Sequence, residues 1–341
     1  MTGKNFPLIL NTTWFRLSLV KEIMNMKKLN VTLAILFTAV MAGNAEPATT
    51  DPVGYSSTTM SAGQYIYSPT FVKNPTYQGS GLISDVNLPV SGVTADQVNP
   101  TSFTDNRPNY PKAYVEILSG SYAGIAYDIT SSTSNSVGCA DLPSELSGTT
   151  VNFVIRPHVI LSDLITPSSG FAEYSDSISV YNQDGTVSLR LFAGGIVTLD
   201  DFETDAGHTP IYPGNAILIN INGPVTLTST GVVKTTITKV PVYQNVNNFV
   251  GLMNPSSNIK ATSTTLASSL AAYSDSATIY SDDGLFALQK IVLTDGTDVT
   301  DDNFAALTTA NDPTIKIGNG MIVNVNSDGY IVLNPAYTRT E

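Results

Sequence analysis

Reactive groups are scarce in this 341-residue chain: two histidines, His158 and His208, and one cysteine, Cys139, stand among abundant carboxylates. Nucleophilic hydrolysis needs a serine or cysteine beside a base that takes its proton. No Gly-x-Ser-x-Gly elbow is present, since Gly120-Ser-Tyr-Ala-Gly124 carries its serine one place too early. His158 follows Arg156-Pro157 and His208 sits in Asp205-Ala-Gly-His-Thr-Pro210, so both read as loop histidines and no catalytic residue is assigned. Glycoside hydrolysis needs two carboxylates facing one cleft. Asp176 and Asp275 are the pair to weigh, against the plainer reading that they open a strand in a repeated turn. Calcium takes several carboxylate and carbonyl oxygens. Asp295, Asp298, Asp301 and Asp302 are the densest acidic patch and the candidate calcium ligands, although EF-hand spacing is missing and a solvated acidic loop is the competing reading. Tyr181 and Tyr280 are the candidate ligand platform, or else pack between sheets.

These residues are placed by an internal duplication. Phe171–Gly185 and Leu270–Gly284 align at a shift of 99 with 8 identities in 15 positions, including Tyr-Ser-Asp-Ser in both copies. Each repeated strand ends in an Asp-Gly turn, Asp184-Gly185 or Asp283-Gly284, where glycine supplies the positive φ of a tight turn. Gly214-Asn-Ala-Ile-Leu-Ile-Asn-Ile-Asn222 and Gly318-Asn-Gly-Met-Ile-Val-Asn-Val-Asn326 close the copies at a shift of 104, and Phe202 aligns with Phe304 at 102. The continuous apolar runs Ile217–Ile219 and Met321–Val323 predict strands central to each core. Asn152-Phe-Val154 and Asn248-Phe-Val250 are expected to open the copies, and short helical turns are expected near Thr265–Leu270 and Phe304–Leu307.

Before the copies, alternation in Ala113–Leu118 and Ile125–Thr130 predicts a hairpin with one apolar face and one wet face carrying Tyr114 and Glu116. Glu46–Ala62 reads either as an edge of the first unit or as a disordered leader. Val233–Val240 reads as a strand whose Lys234 and Lys239 protect an exposed edge. Short apolar runs between Gly, Pro, Asn and Ser turns give an all-β fold: tandem antiparallel β-sandwich or barrel-like units with an internal duplication in the C-terminal two-thirds. The expected divisions are 1–25 as a misplaced start, 26–45 as a signal peptide, 46–147 as an N-terminal β unit, 148–245 as the first repeat and 246–341 as the second.

The signal rests on Met26-Lys-Lys-Leu-Asn, the apolar Val31–Ala42, and small residues at Gly43 and Ala45. The apolar run is shorter than the roughly 20 residues a bilayer requires, which favours a signal over a spanning helix. Export to the periplasm, cell surface or outside is expected, with no membrane span after cleavage, because no second long apolar segment follows. Cleavage removes one of the 28 acidic and five of the 16 basic residues, moving the net charge from −12 to about −16. Such a surface repels phosphate backbones, which excludes nucleic acid as a partner class. Cys139 has no second cysteine to pair with.

Asp51-Pro-Val-Gly-Tyr55, Tyr114–Gly120 with Gly124–Thr130, Ile155-Arg-Pro-His158 and Pro213-Gly-Asn215 together resemble a paralogous family of secreted bacterial proteins of unknown function. The resemblance covers most of the exported chain and implies export and repeated β units, with no activity and no site residue. This chain departs from that pattern in keeping no tryptophan after cleavage, its only one being Trp14. The expected function is a secreted, non-catalytic β-repeat protein with a structural or interaction role and a surface polysaccharide or protein as partner. The alternatives are a calcium-assisted glycan- or surface-binding module and a secreted hydrolase or its accessory subunit.

Overall fold

A computed structural model describes residues 52–102, 108–181, 186–255, 259–280 and 289–337. The signal segment and both Asp-Gly turns, Asp184-Gly185 and Asp283-Gly284, lie outside the described residues. The fold is all-β with antiparallel strands throughout. Among the described residues no helix is long and apolar enough to cross a membrane.

Each copy builds one five-stranded sheet. In the first, Ile196–Thr198, Val187–Ala193, Ser177–Tyr181, Ile217–Ile221 and Gly63–Tyr67 lie side by side in that order. In the second, the order is Val299–Thr300, Gln289–Thr294, Ser276–Tyr280, Gly320–Asn324 and Asn248–Gly251. The closing strands Ile217–Ile221 and Gly320–Asn324 are interior in their sheets, as their apolar runs predict. Two-stranded ribbons flank each sheet: Val53–Met60 with Val225–Val232 in one copy, Thr238–Val242 with Gly329–Leu333 in the other.

The leading strands of the first copy therefore come from far upstream in the chain, at Val53–Met60 and Gly63–Tyr67. Val53–Met60 and Gly63–Tyr67 do for the first copy what Thr238–Val242 and Asn248–Gly251 do for the second, so residues 53–62 are a paired strand and its turn and not a disordered leader, while residues 46–51 lie outside the described residues. Asn152–Val154 does not open the first copy; it lies in the strand Thr150–Pro157 of a separate six-stranded sheet. That sheet runs Tyr77–Leu82, Thr150–Pro157, Ala113–Ile117, Ala126–Ser132, Ser136–Cys139 and Asn87–Pro89. The six-stranded sheet of Tyr77–Pro157 is thus inserted inside the first copy, and the expected limit at 147/148 falls between two of its strands. Sequence alignment mistook the opener because Asn-Phe-Val fits any buried strand, whereas pairing depends on which edge is vacant.

The inserted sheet encloses its own core around Ile83, Val115, Ile117, Ile129, Phe153 and Ile155. Its central strand Ala113–Ile117 is buried along its whole length, including Tyr114 and Glu116, so neither face is wet. Glu116 is buried because it receives the linker between the copies: Lys234 Nζ lies 2.6 Å from its Oε1, Arg156 Nε 3.9 Å from its Oε2, and Thr236 donates to Oε1 at 2.8 Å. Lys234 is no exposed gatekeeper. The strand stops at Val232, Lys234 turns inward, and pairing resumes at Thr238. Burial pulls the Lys234 pKa below its ordinary value, and the Glu116 carboxylate opposes that shift. The expected helical turn at Phe304–Leu307 is also absent, since Phe304 is left-handed with φ 59°, while Leu266–Ser269 forms the one expected near Thr265.

The two copies meet edge to edge through reciprocal hydrogen bonds. Gly251 N donates to Gly214 O at 2.8 Å, and Ser68 N donates to Gly318 O at 2.8 Å. Ser68 and Gly251 occupy equivalent places, as do Gly214 and Gly318. Beside this seam Tyr181 stacks on Phe249 at 3.7 Å, within a cluster that includes Ile66, Ala216, Leu218, Tyr280 and Ile322. Close approach requires Gly251: a Cβ there would stand 1.8 Å from Ser68 Oγ. Gly251→Ala is therefore expected to cost about 1–3 kcal/mol through overpacking. Urea unfolding should show the Ser68→Gly/Gly251→Ala double variant to be more stable than Gly251→Ala alone; additive losses would contradict the contact.

Candidate functional site

The repeated Tyr-Ser-Asp-Ser motif folds into the same turn in both copies. Asp176 is fully buried, and its Oδ2 accepts Ala172 N at 2.8 Å while Oδ1 accepts Asn222 N at 2.9 Å. Asp275 does the same with Ala271 N at 2.9 Å and Asn326 N at 3.0 Å. Each aspartate N–H returns to the alanine carbonyl, Asp176 to Ala172 and Asp275 to Ala271, both at 3.1 Å. The asparagine side chains complete the staple by donating to Ser175 O and Ser274 O. A buried carboxylate that accepts several N–H groups is a strong local organiser, because each charge-assisted bond replaces water that burial has excluded.

That closure decides where the tyrosine goes. Tyr174 and Tyr273 lie within the loops so formed, and both adopt left-handed φ, 60° and 59°. A bulky residue there is strained, at a cost on the order of 1 kcal/mol or more. Their N–H groups bond to Phe192 O and Thr294 O, and their rings project outward, each 64% exposed. Against each ring packs a phenylalanine from the opposite turn: Tyr174 with Phe202 at 5.5 Å and Tyr273 with Phe304 at 5.2 Å. Phe202 and Phe304 are themselves left-handed and part-exposed. Their turns are held by further aspartates. Asp201 Oδ1 accepts Glu203 N and Thr204 N, and Asp301 Oδ1 accepts Asn303 N and Ala305 N. The Thr204 hydroxyl, with those backbone donors, holds the Asp201 carboxyl below its ordinary pKa.

The residues singled out from sequence are distributed differently. Asp176 and Asp275 do not form a pair across one cleft; each serves the backbone at the start of its own sheet. Tyr181 and Tyr280 line the seam between copies, part-buried, and burial raises both phenol pKa values, that of Tyr181 to about 12. They pack between sheets, the competing reading. Asp295 Oδ1 accepts Thr297 N and Asp298 N, which holds its carboxyl below the ordinary pKa. Asp302 accepts the Asn303 side-chain amide at 2.9 Å. Of Asp295, Asp298, Asp301 and Asp302, the first and third hold turns through backbone N–H groups, and among the described residues no three His, Cys, Asp or Glu converge to hold a metal ion.

His158 is buried with Nε2 3.0 Å from Asp128 Oδ1, and Tyr212 donates to Asp128 Oδ2 at 2.6 Å. Tyr114 and Tyr212 flank the imidazole at 4.9 Å. This cluster fastens the inserted sheet to the first copy, and its contacts to His158 come from Asp128, Tyr114 and Tyr212, with no serine or cysteine among them. His208 is half-buried in the turn after Asp205. Cys139 is buried, and burial pushes its thiol up to about 12, which leaves it unreactive near neutrality.

The exposed Tyr–Phe pairs are the feature that the sequence reading passed over. Their signal was present in the tyrosine that begins the repeated motif and in the Phe202/Phe304 match. Strand alternation could not show that these residues lie in turns and meet in space. Comparison with protein-family models, with curated proteins and with solved structures gives no match.

Replacing either organising carboxylate, Asp176→Ala or Asp275→Ala, strands two backbone donors and is expected to cost about 2–4 kcal/mol. Urea denaturation of each variant would measure it, and a loss below half a kcal/mol would remove the aspartate from its organising role.

Proposed function

We propose that this chain is an exported, non-catalytic interaction protein of the cell surface or extracellular space, of the kind its resemblance to secreted β-repeat proteins implies. The observation that supports the reading is the exposed, left-handed Tyr–Phe pair built twice, at Tyr174–Phe202 and Tyr273–Phe304. Strained residues persist where the surroundings enforce them, and strain kept at an exposed aromatic in both copies points to selection for contact. An aromatic pair held on rigid turns offers a large contact area with little side-chain entropy left to lose on binding. Two such sites on one chain would add avidity. The acids around each pair, Glu173 and Glu203 in one copy and Asp302 in the other, keep the surroundings negative, consistent with the acidic composition.

The strain supplies the test. Glycine takes φ near +60° freely, so Tyr174→Gly with Tyr273→Gly removes both rings and the unfavourable conformation together. Cosedimentation of the purified exported chain with envelopes of the producing cells should weaken by about tenfold or more in the double variant, the loss expected from removing stacked aromatic contacts. Its Tm should stay level or rise. Undiminished sedimentation would overturn the proposal, and so would a large fall in Tm, because the rings would then serve the fold.

A further inference from the structure

A second site lies away from the Tyr–Phe pairs, where the inserted sheet meets the second copy. Docking there is tight. Gly124 O accepts Lys239 N at 2.8 Å, Lys239 Nζ donates to Ser121 O at 2.5 Å, and a Cβ on Gly124 would stand 3.0 Å from Ile237 O. Beyond this contact the surfaces diverge and leave a groove of about 500 Å3. Tyr127 and Asp141 come from the inserted unit, Pro241 and Tyr243 from the strand Thr238–Val242 and the residue after it, and Tyr330 from the strand paired with it. The volume falls within the roughly 300–1,000 Å3 of sites that enclose small ligands.

The lining defines the ligand class. Three tyrosines and a proline give flat, weakly polar faces, while phenol hydroxyls and the exposed Asp141 carboxylate give directional hydrogen bonding. Tyr127 is 7% exposed, and its hydroxyl is buried without a hydrogen-bond partner. An orphaned polar group of this kind is costly to the fold, and the Tyr127 ring lines the groove. Burial raises the Tyr127 pKa, with Tyr330 and Tyr122 adding to the shift, so it remains a neutral donor. No lysine, arginine or histidine lines the groove. An anionic ligand would therefore meet a carboxylate with no cation to receive it. A purely apolar ligand would leave the Asp141 carboxylate and the hydroxyl of the exposed Tyr330 unanswered. A sugar satisfies all three conditions: its C–H faces stack on tyrosine, its hydroxyls donate to a carboxylate, and it carries no charge.

We infer that the groove between Tyr127, Tyr243 and Tyr330 binds a short neutral oligosaccharide, with Tyr330 as the stacking face and Asp141 as acceptor of sugar hydroxyls. Tyr330 is 45% exposed and Asp141 also faces solvent, so both can be altered with little effect on folding. Calorimetric titration of the exported chain with cellotetraose, mannotetraose and chitotetraose is the direct test, with tetragalacturonate, tetralysine and decaproline as counter-ligands. At least one neutral tetrasaccharide should bind, and Tyr330→Ala and Asp141→Asn should each raise its Kd about tenfold, the loss of one stacked face or one charged hydrogen bond. Tm should be unchanged in both. The Tyr174→Gly/Tyr273→Gly variant should bind that sugar as the unaltered chain does, which keeps this site separate from the paired aromatics. Three results would each overturn the inference: no neutral sugar bound at about millimolar concentration, equal affinity in both groove variants, or binding confined to the charged or proline ligands.

Discussion

The arrangement of both repeats depends on one buried carboxylate per copy. Asp176 and Asp275 each receive backbone N–H groups from two directions, the alanine four residues back and the asparagine at the end of the closing strand. This ties the entry of one strand to the exit of its neighbour. With the loop closed around three residues, the middle one, a tyrosine, takes a left-handed conformation and its ring leaves toward solvent. The same interaction therefore sets strand register on the inside and displays an aromatic side chain outside. A charged group serves well because removing either set of donors would leave a desolvated carboxylate, a loss of several kcal/mol.

Above that local device stands an exchange of strands. Val53–Met60 and Gly63–Tyr67 complete the first copy across an insertion of some ninety residues, and the chain closes this long loop once its sheet edges are satisfied. Three contacts then fix the insertion: Glu116 with Lys234 and Arg156, Asp128 with His158 and Tyr212, and the Gly124 turn against Lys239. The first two are polar clusters buried at the edges of apolar cores, where a mispositioned neighbour would strand a charge. Polar contacts of that type penalise wrong dockings more than they reward the right one. The seam between copies is different in kind. It is made of backbone bonds and glycines, and its specificity comes from steric closeness at Gly251 and Ser68.

Rigid docking matters for function because both proposed sites are built from more than one element. The Tyr–Phe pairs need two turns of one copy, and the tyrosine groove needs two sheets that are neighbours only after the insertion has docked. Neither site uses Asp201, Asp295 or Asp301 as a ligand-binding group. Asp201, Asp295 and Asp301 each fold a loop by accepting consecutive N–H groups, which explains why a chain so rich in carboxylates brings no cluster of them together among its described residues.

The sequence by itself determined the strand class, the duplication and its central strands, because alternation, turn residues and matched motifs are local and every pair of copies must satisfy the same backbone chemistry. It also carried the turn role of Asp176 and Asp275, since a short acid at a strand entry has few other uses. Only the tertiary structure decided which strand completes which sheet, that Glu116 and Lys234 face inward to meet each other, that Tyr174 and Phe202 touch, and that three distant tyrosines share a groove. Those outcomes depend on which edges and surfaces are left open after the sheets form, a property of long-range pairing that no short window of residues contains.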